Sequence, residues 1–513
     1  MTPGARLTRR SLLRRGGAGA AGAAALGGLT LPAGAAAQKQ EAGEAGALLV
    51  VLPLVRADHV NAFEGGSGTK TPHLDELTGQ SLRFDRAIPE CMPSLPVRRT
   101  LVTGVRSFPF RDWRRTDGMP AVPGFNPVWD WQPVMTETMR ASGVGTTYVS
   151  DNPMLEGPRF PDVRRPGGGP ASSGDTGIPG EIAALERASA ATVRTFRAGI
   201  DALGERPGSG RYFLAIDPFD PVDASDAPSI HIKPGEVEEE GIGPMDGRRE
   251  ELRWSGEEVG RLREAYRKHV ELVDDWVGRL MNEVPDDLLV FVLGDVGFAL
   301  GEHDYIGRGT PTSHRGSYEI PYLIRHPGGK MAGDDIDWWA STHDVAPTLL
   351  SHLGVTIPGK IWGEDLTALF DDVEEEDLYD RPYSITASGS LIIVRDKRWL
   401  MVADREQIER RMYDDDENVE DDIKRYDNIA NEDTGQLTEM SVAALTVAGG
   451  TLPEFGPDGA LRPTRERGDD DTDDDGIPND FDAVDNDDPD DSDDPVARAF
   501  DGRDPQDKTS EKK

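Results

Sequence analysis

Three positions in this chain stand where an α/β protein keeps its chemistry: Pro53, Asp217 and Asp295. Each ends an apolar run: "VVLP" within residues 47–55, "RYFLAID" at 211–217 and "DLLVFVLGDVG" at 287–297. In open α/β sheets, ligands bind beyond the carboxyl ends of the strands. A carboxylate at such an end can ligate a cation. Proline offers no side-chain oxygen, so Pro53 breaks the pattern. A second chemistry lies far down the chain in "DTDDDGIPND". Asp471, Asp473 and Asp475 alternate, Gly476 allows a turn, and Asn479 and Asp480 follow. Oxygen ligands spaced this way let a short loop wrap one hard cation, with calcium as the expected ion. A solvated acidic run that holds no ion is the competing description.

The elements that must position the first three residues alternate regularly. After the strand at 47–55, helices are expected at 71–82 and 133–144, a strand at 145–151, and long helices at 178–203 and 255–284 around the strand at 211–217. Thr71 and Pro72 suit a helix start, and Gly143 a helix stop. The apolar run at 287–297 suits a strand buried on both faces. The alternation predicts an α/β fold, a mostly parallel central sheet flanked by helices. Residues 376–435 read as a smaller C-terminal α+β subdomain with antiparallel hairpins. Residues 436–468 read as a linker, and 469–513 as an acidic tail.

Composition bounds the partners. The chain has 513 residues, 94 acidic against 56 basic, for a formal net charge of -38. That charge opposes nucleic acid and anionic membranes and suits solubility in high salt. One cysteine, Cys91, excludes an internal disulfide framework and a thiolate-rich zinc site. Residues 1–37 carry Arg9-Arg10 before Ser11-Leu12-Leu13, then a weakly apolar Gly/Ala run and small residues at Ala35 to Ala37. This is the pattern of a twin-arginine signal peptide and predicts export in a folded state. No later apolar run is long enough to span a bilayer.

Several segments together resemble the sulfatases of the alkaline phosphatase superfamily. "RADHVNAF", "TPHLDELTGQSLRFDRAI", "PSLPVRRTLVTGVRSFPFRDW", "YFLAIDPFDPVDASDAP", "LGDVGFALGEHDYIGRG" and "STHDVAPTLLSHLGV" follow in that family's order across roughly residues 47–435. The tail resembles the calcium-binding repeats of thrombospondin type 3. The first resemblance implies a sulfuric ester hydrolase with a divalent cation. It places Ser94, in the S-x-P-x-R form, at the nucleophile position and Arg98 at the charge-stabilising one. It also implies roles for His303 in "GEH" and Arg308 in "IGRG". Cys91 fits the nucleophile position less well, because Leu95 stands where an arginine would follow it.

The departures concern one function. Pro53 takes the place of the first metal-binding Asp, Val296 that of the partner of Asp295, and Val222 that of a histidine. Met154, Glu156 and Gly157 occupy a segment that bears lysine in the family, and Arg308 replaces a lysine. Among the expected metal carboxylates Asp295 alone persists, while Gly104, Gly297, Gly301, Pro321 and Pro327 keep the fold's turns. One reading is therefore an exported, catalytically silent sulfatase-like protein that binds a sulfated or phosphorylated polyanion through Arg98, Arg308 and His303, or a surface protein. A second is a working sulfuric or phosphoric ester hydrolase using Ser94, with Asp58, Asp151, Asp217, Asp220 or Asp223 rebuilding the metal site. A third is a surface protein whose tail does the work. For Arg98 the alternative to ligand binding is a pair with Asp295 across the pocket, and for His303 a hydrogen-bonded structural histidine.

Overall fold

A computed structural model describes residues 6–7, 45–63, 67–114, 116, 123–166, 180–220, 255–302, 306–308, 315–370, 381–388, 391–404, 410–414 and 429–449. Val222, Asp223, His303, the side chain of Arg308, the tail ligands Asp471, Asp473, Asp475, Asn479 and Asp480, and almost all of the expected signal peptide lie outside the described residues.

The described strands are β1 (Arg6–Leu7), β2 (Gly46–Leu52), β3 (Leu82–Ile88), β4 (Gly145–Val149), β5 (Val163–Arg164), β6 (Tyr212–Ile216), β7 (Leu288–Gly294), β8 (Phe298–Leu300), β9 (Ile306–Arg308), β10 (Tyr322–Arg325) and β11 (Asp335–Ser341). Nine of them form one sheet in the order β1-β11-β3-β10-β7-β2-β6-β4-β5, and β8 pairs with β9 in a separate hairpin. All neighbours in the large sheet run parallel except the two pairs made by β10. Every residue of β2 and β7 is buried, as continuous apolar strands covered on both faces must be. Helices Pro72–Thr78, Gly180–Gly204 and Gly256–Met281 pack together as one group. Ser94–Thr103, Met135–Ala141 and Val345–His352 form another. The expected mixed α/β architecture with a mostly parallel sheet is thus present.

Five strands without an expected counterpart in the sequence, the two-residue β1 and β5 together with β3, β10 and β11, complete the sheet. The β1 pairing, Arg6 to Asp335 and Leu7 to Ile336, falls inside the segment read as a cleavable leader. A mature chain without it would present β11 as the edge, where Asp335 and Asp337 discourage further pairing.

The C-terminal part is an antiparallel sheet, β12 (Ser384–Ser388), β13 (Leu391–Arg395), β14 (Trp399–Asp404) and β15 (Arg410–Asp414). The linker expected from residue 436 is instead occupied at its start by the helix Thr434–Val447, which packs on β13. Asp433 caps it by accepting from Gln436 N, and Leu437, Met440, Ser441 and Ala444 form its buried stripe. Cys91 is fully buried in the core beneath this sheet, bridged to Ala387, and takes no part in the candidate site.

One glycine fixes the approach of two loops near the site. A Cβ on Gly297 would lie 2.1 Å from the Gly316 carbonyl oxygen and 2.5 Å from the Ser317 carbonyl carbon. Backbone cannot yield as a side chain does. Gly297→Ala is expected to lose roughly 2–3 kcal/mol of stability in denaturant unfolding, whereas Gly260→Ala, which meets nothing and lies in the helix Gly256–Met281, should gain about 0.5–1 kcal/mol.

Candidate functional site

The central strand β2 lies between β7 and β6, so the ends of all three converge. Asp295 follows β7, Asp217 follows β6, and Pro53 follows β2 between them. At Pro53 the chain turns sharply, and Leu54 adopts φ 57°, a left-handed conformation that costs a non-glycine residue about 1–2 kcal/mol. The turn is held from all sides. Leu54 N donates to Asp295 Oδ1 at 2.6 Å, and Tyr266 Oη donates to the Leu54 carbonyl at 2.8 Å. His269 Nε2 lies 2.8 Å from the Pro53 carbonyl and Nδ1 lies 2.8 Å from Ser189 Oγ. A carbonyl only accepts, so Nε2 carries the proton and Nδ1 accepts from the serine. Burial keeps this histidine neutral, below its ordinary value. The backbone of Pro53 therefore joins the site even though its side chain cannot.

Ser94 opens the helix Ser94–Thr103, with Pro96 in the first turn. Arg98 follows one turn later and so projects from the same side. Its Nε donates to Asp217 Oδ1 at 2.9 Å and its Nη1 to Asp295 Oδ2 at 2.7 Å. Nη1 also reaches the Ser94 carbonyl at 3.1 Å, and Nη2 the Pro218 carbonyl at 2.9 Å. The guanidinium lies 4.9 Å from the centre of the Phe219 ring. Ser94 Oγ donates to Asp295 Oδ2 at 3.3 Å. On the far side, Tyr148 Oη and Ser150 Oγ donate to Asp217 Oδ2 at 3.1 and 3.4 Å. Ser94, Arg98, Asp217 and Asp295 are all at most 3% exposed.

The charges follow from this geometry. Burial opposes the Arg98 charge, but Asp217 and Asp295 beside it raise the guanidinium above its ordinary value. Burial also raises Asp217. Arg98 pulls it back only in part, and Asp295 pushes it further up.

Do these residues suit the divalent cation that the fold implies? A hard divalent ion wants six or more oxygens with open lone pairs. Here Asp295 Oδ1 accepts from Leu54 N and Val296 N, the latter at 2.7 Å, and Oδ2 accepts from Arg98 and Ser94. Both oxygens of Asp217 are likewise engaged. Of the residues offered as substitute ligands, Asp223 lies outside the described residues; Asp58 is paired with Arg56, Asp217 with Arg98 and Asp220 with Arg187 at 2.7 Å, while Asp151 faces Arg194 at 3.7 Å without a hydrogen bond at Oδ2. Burial would raise Asp58, but Arg56 and His59 hold it below the ordinary carboxylate range. Among the described residues no group of three or more His, Cys, Asp or Glu could hold a metal ion. The donor set does not fit the ion.

The structure brings Ser94, Arg98 and Asp295 together, with Pro53 and Val296 beside them at the strand ends. Met154 lies with Leu95, Phe125 and Phe219 in a buried apolar cluster. The backbone of Arg308 pairs with Phe298. Tyr148, Ser150, Phe219, Tyr266 and His269 belong to the site and carried no local signal, because each lies in a stretch that reads as ordinary strand, loop or helix.

The Sulfatase family model matches residues 202–355, the stretch containing Asp217 and Asp295. The ulvan-active sulfatase of Formosa agariphila is 27% identical over 119 residues, which are 22% of this chain and 23% of that protein. The match thus spans about a quarter of that relative's length. A phosphonate monoester hydrolase of Agrobacterium radiobacter is structurally similar at 19% identity, with a TM-score of 0.57 and coverage of 79% of this chain and 95% of that one. A 2-O GAG sulfatase, BT1596, is similar at 16% identity, with a TM-score of 0.60 and coverage of 79% and 92%. At such identities the likeness establishes the fold.

Proposed function

We propose that this chain is an exported protein of sulfatase-like fold whose ester-cleaving site has closed into an internal ion-pair network, and that it acts by binding and not by turnover. One observation carries the reading: every oxygen of Asp217 and Asp295 is engaged by Arg98 or another internal donor. In-line cleavage of a sulfate or phosphate ester needs a cation for the crowded oxygens and a base or metal to activate the nucleophile. Ser94 has neither: its one carboxylate partner already carries Arg98, and both ring nitrogens of His269 are occupied.

The same geometry bears on the partner. Arg98 is spent inside the fold, so it is not an anchor for a sulfated or phosphorylated polyanion, and a net charge of -38 repels one. A surface protein is the partner this reading favours, with the acidic tail taking up calcium outside the cell.

The test is an assay of the full chain in high salt against aryl sulfate, phosphate and phosphonate esters, beside Ser94→Ala. The expected result is no turnover above that of Ser94→Ala. Turnover that disappears in Ser94→Ala would establish the hydrolase instead.

A further inference from the structure

The acceptors around Arg98 are held by groups other than Arg98. Asp295 Oδ1 is anchored by Leu54 N and Val296 N at 2.6 and 2.7 Å, and Asp217 Oδ2 by Tyr148 and Ser150. The inward oxygens, Asp217 Oδ1 and Asp295 Oδ2, come from the ends of two different strands. The carbonyls of Ser94 and Pro218 complete a set of four acceptors at 2.7–3.1 Å from guanidinium nitrogens. Phe219 supplies a flat π face to the same group. This is a receptor with two charges, two neutral carbonyls and an aromatic wall. A planar fork of N–H donors matches it, since guanidinium pairs with carboxylates at such distances and stacks on rings. A small divalent ion does not, because it would need more oxygens at about 2.0–2.6 Å and gains nothing from the ring.

We infer that Asp217, Asp295, Pro218 and Phe219 form a guanidinium-binding site whose occupant is supplied by the chain itself, Arg98 serving as the tethered resident cation in place of a metal. The inference rests on the closed-site reading above. It adds that the site keeps its own selectivity: emptied of the Arg98 side chain, it takes up an alkylguanidinium from solution and discriminates against ammonium and divalent ions.

Arg98→Ala removes the side chain beyond Cβ, and ethylguanidinium is the missing fragment. The variant is expected to melt about 5 °C below the natural chain, as loss of one partner of a buried ion network implies for a fold of this size. Millimolar ethylguanidinium should recover at least half of that loss, rising with the logarithm of its concentration, by binding the folded state alone. Ethylammonium and magnesium should not, and the natural chain should gain nothing from any of the three. A folded Arg98→Ala that ethylguanidinium leaves unmoved, or that magnesium stabilises more, would overturn the assignment. Should Arg98→Ala fail to fold, metal content decides. After equilibration with manganese, the natural chain and Asp295→Asn should retain the same amount. Manganese held by the natural chain and lost in Asp295→Asn would overturn it. Neither readout involves turnover, so a failure of this assignment is told apart from a failure of the closed-site reading, which the ester assay tests.

Discussion

Replacing Asp295 with alanine is expected to destabilise the fold by about 4–5 kcal/mol, or to leave no folded chain at all. Asp295 accepts from four donors: Leu54 N, Val296 N, Ser94 Oγ and Arg98 Nη1. Removing it strands two buried amides, each costing about 1–3 kcal/mol without an acceptor, and leaves Arg98 with Asp217 as its one counter-charge. It also releases Leu54, whose left-handed backbone is held partly by that carboxylate. Asp295→Asn separates the contributions. It keeps the shape and one acceptor oxygen but loses the charge, so about half the effect should remain. Denaturant unfolding in high salt measures both. An Asp295→Ala chain within about 1 kcal/mol of the natural one would mean that the strand ends tolerate a void and that the network does not brace them.

Such a network gives two buried strand-end carboxylates a counter-charge supplied by the chain itself. Two carboxylates at the ends of the strands on either side of β2, buried without a cation, would repel each other and resist desolvation. Arg98 answers both problems because it lies one helical turn from Ser94 and reaches both carboxylates. The same answer recurs nearby: Asp58, Asp151 and Asp220 each meet an arginine. A fixed cation on the chain exists at any ion concentration, whereas a bound metal does not.

How much of this was legible from the residues? β2, β6 and β7 were, because strands buried on both faces are uninterrupted apolar runs. β3 and β11 were not. "LRFDRAI" and "DIDWWAS" mix charges into the strand, and those charges pair across it, Arg83 with Asp335 at 3.0 Å and Arg86 with Asp337. The register shift between Ile336 and Trp339 also breaks the two-residue period. The helix Thr434–Val447 carries a cap at Asp433, but its apolar and polar residues are too weakly segregated to set it apart from a linker. At the site, Ser94, Arg98, Asp217 and Asp295 could each be named. The pair of Arg98 with Asp295 was legible as one of two alternatives for that arginine, and the structure forms it; that Arg98 also reaches Asp217, 119 residues away, was not, since only the strand order brings Asp217 to the same place. The aromatic and histidine partners had no motif to betray them.

A second ion pair gives the fold an acid-sensitive joint with a computable sign. Asp344, fully buried, accepts from Ser341 N and Glu364 N at 2.8 Å each and from both terminal nitrogens of Arg381. Arg381 leads into β12, so the pair ties the start of the Val345–His352 helix to the C-terminal sheet. Burial alone would raise the Asp344 carboxyl, but Arg381, with His343 adding, brings it down from 3.8 to about 2. Its folded value lies below its unfolded one, so the stability it supplies is complete above about pH 4 and is lost as pH falls toward 2. The difference amounts to about 2 kcal/mol. Glu90 and Asp217, both raised by burial, act with the opposite sign in acid. The natural chain alone would therefore blur the effect, whereas the difference between it and Asp344→Asn cancels those groups. Near neutral pH the Asp344→Asn deficit should be about 3–5 kcal/mol, and by pH 2 it should shrink by about 2 kcal/mol. A deficit that stays constant over that range would mean that Asp344 acts through its four hydrogen bonds and not through its charge, because an asparagine of the same shape forfeits the charge at every pH.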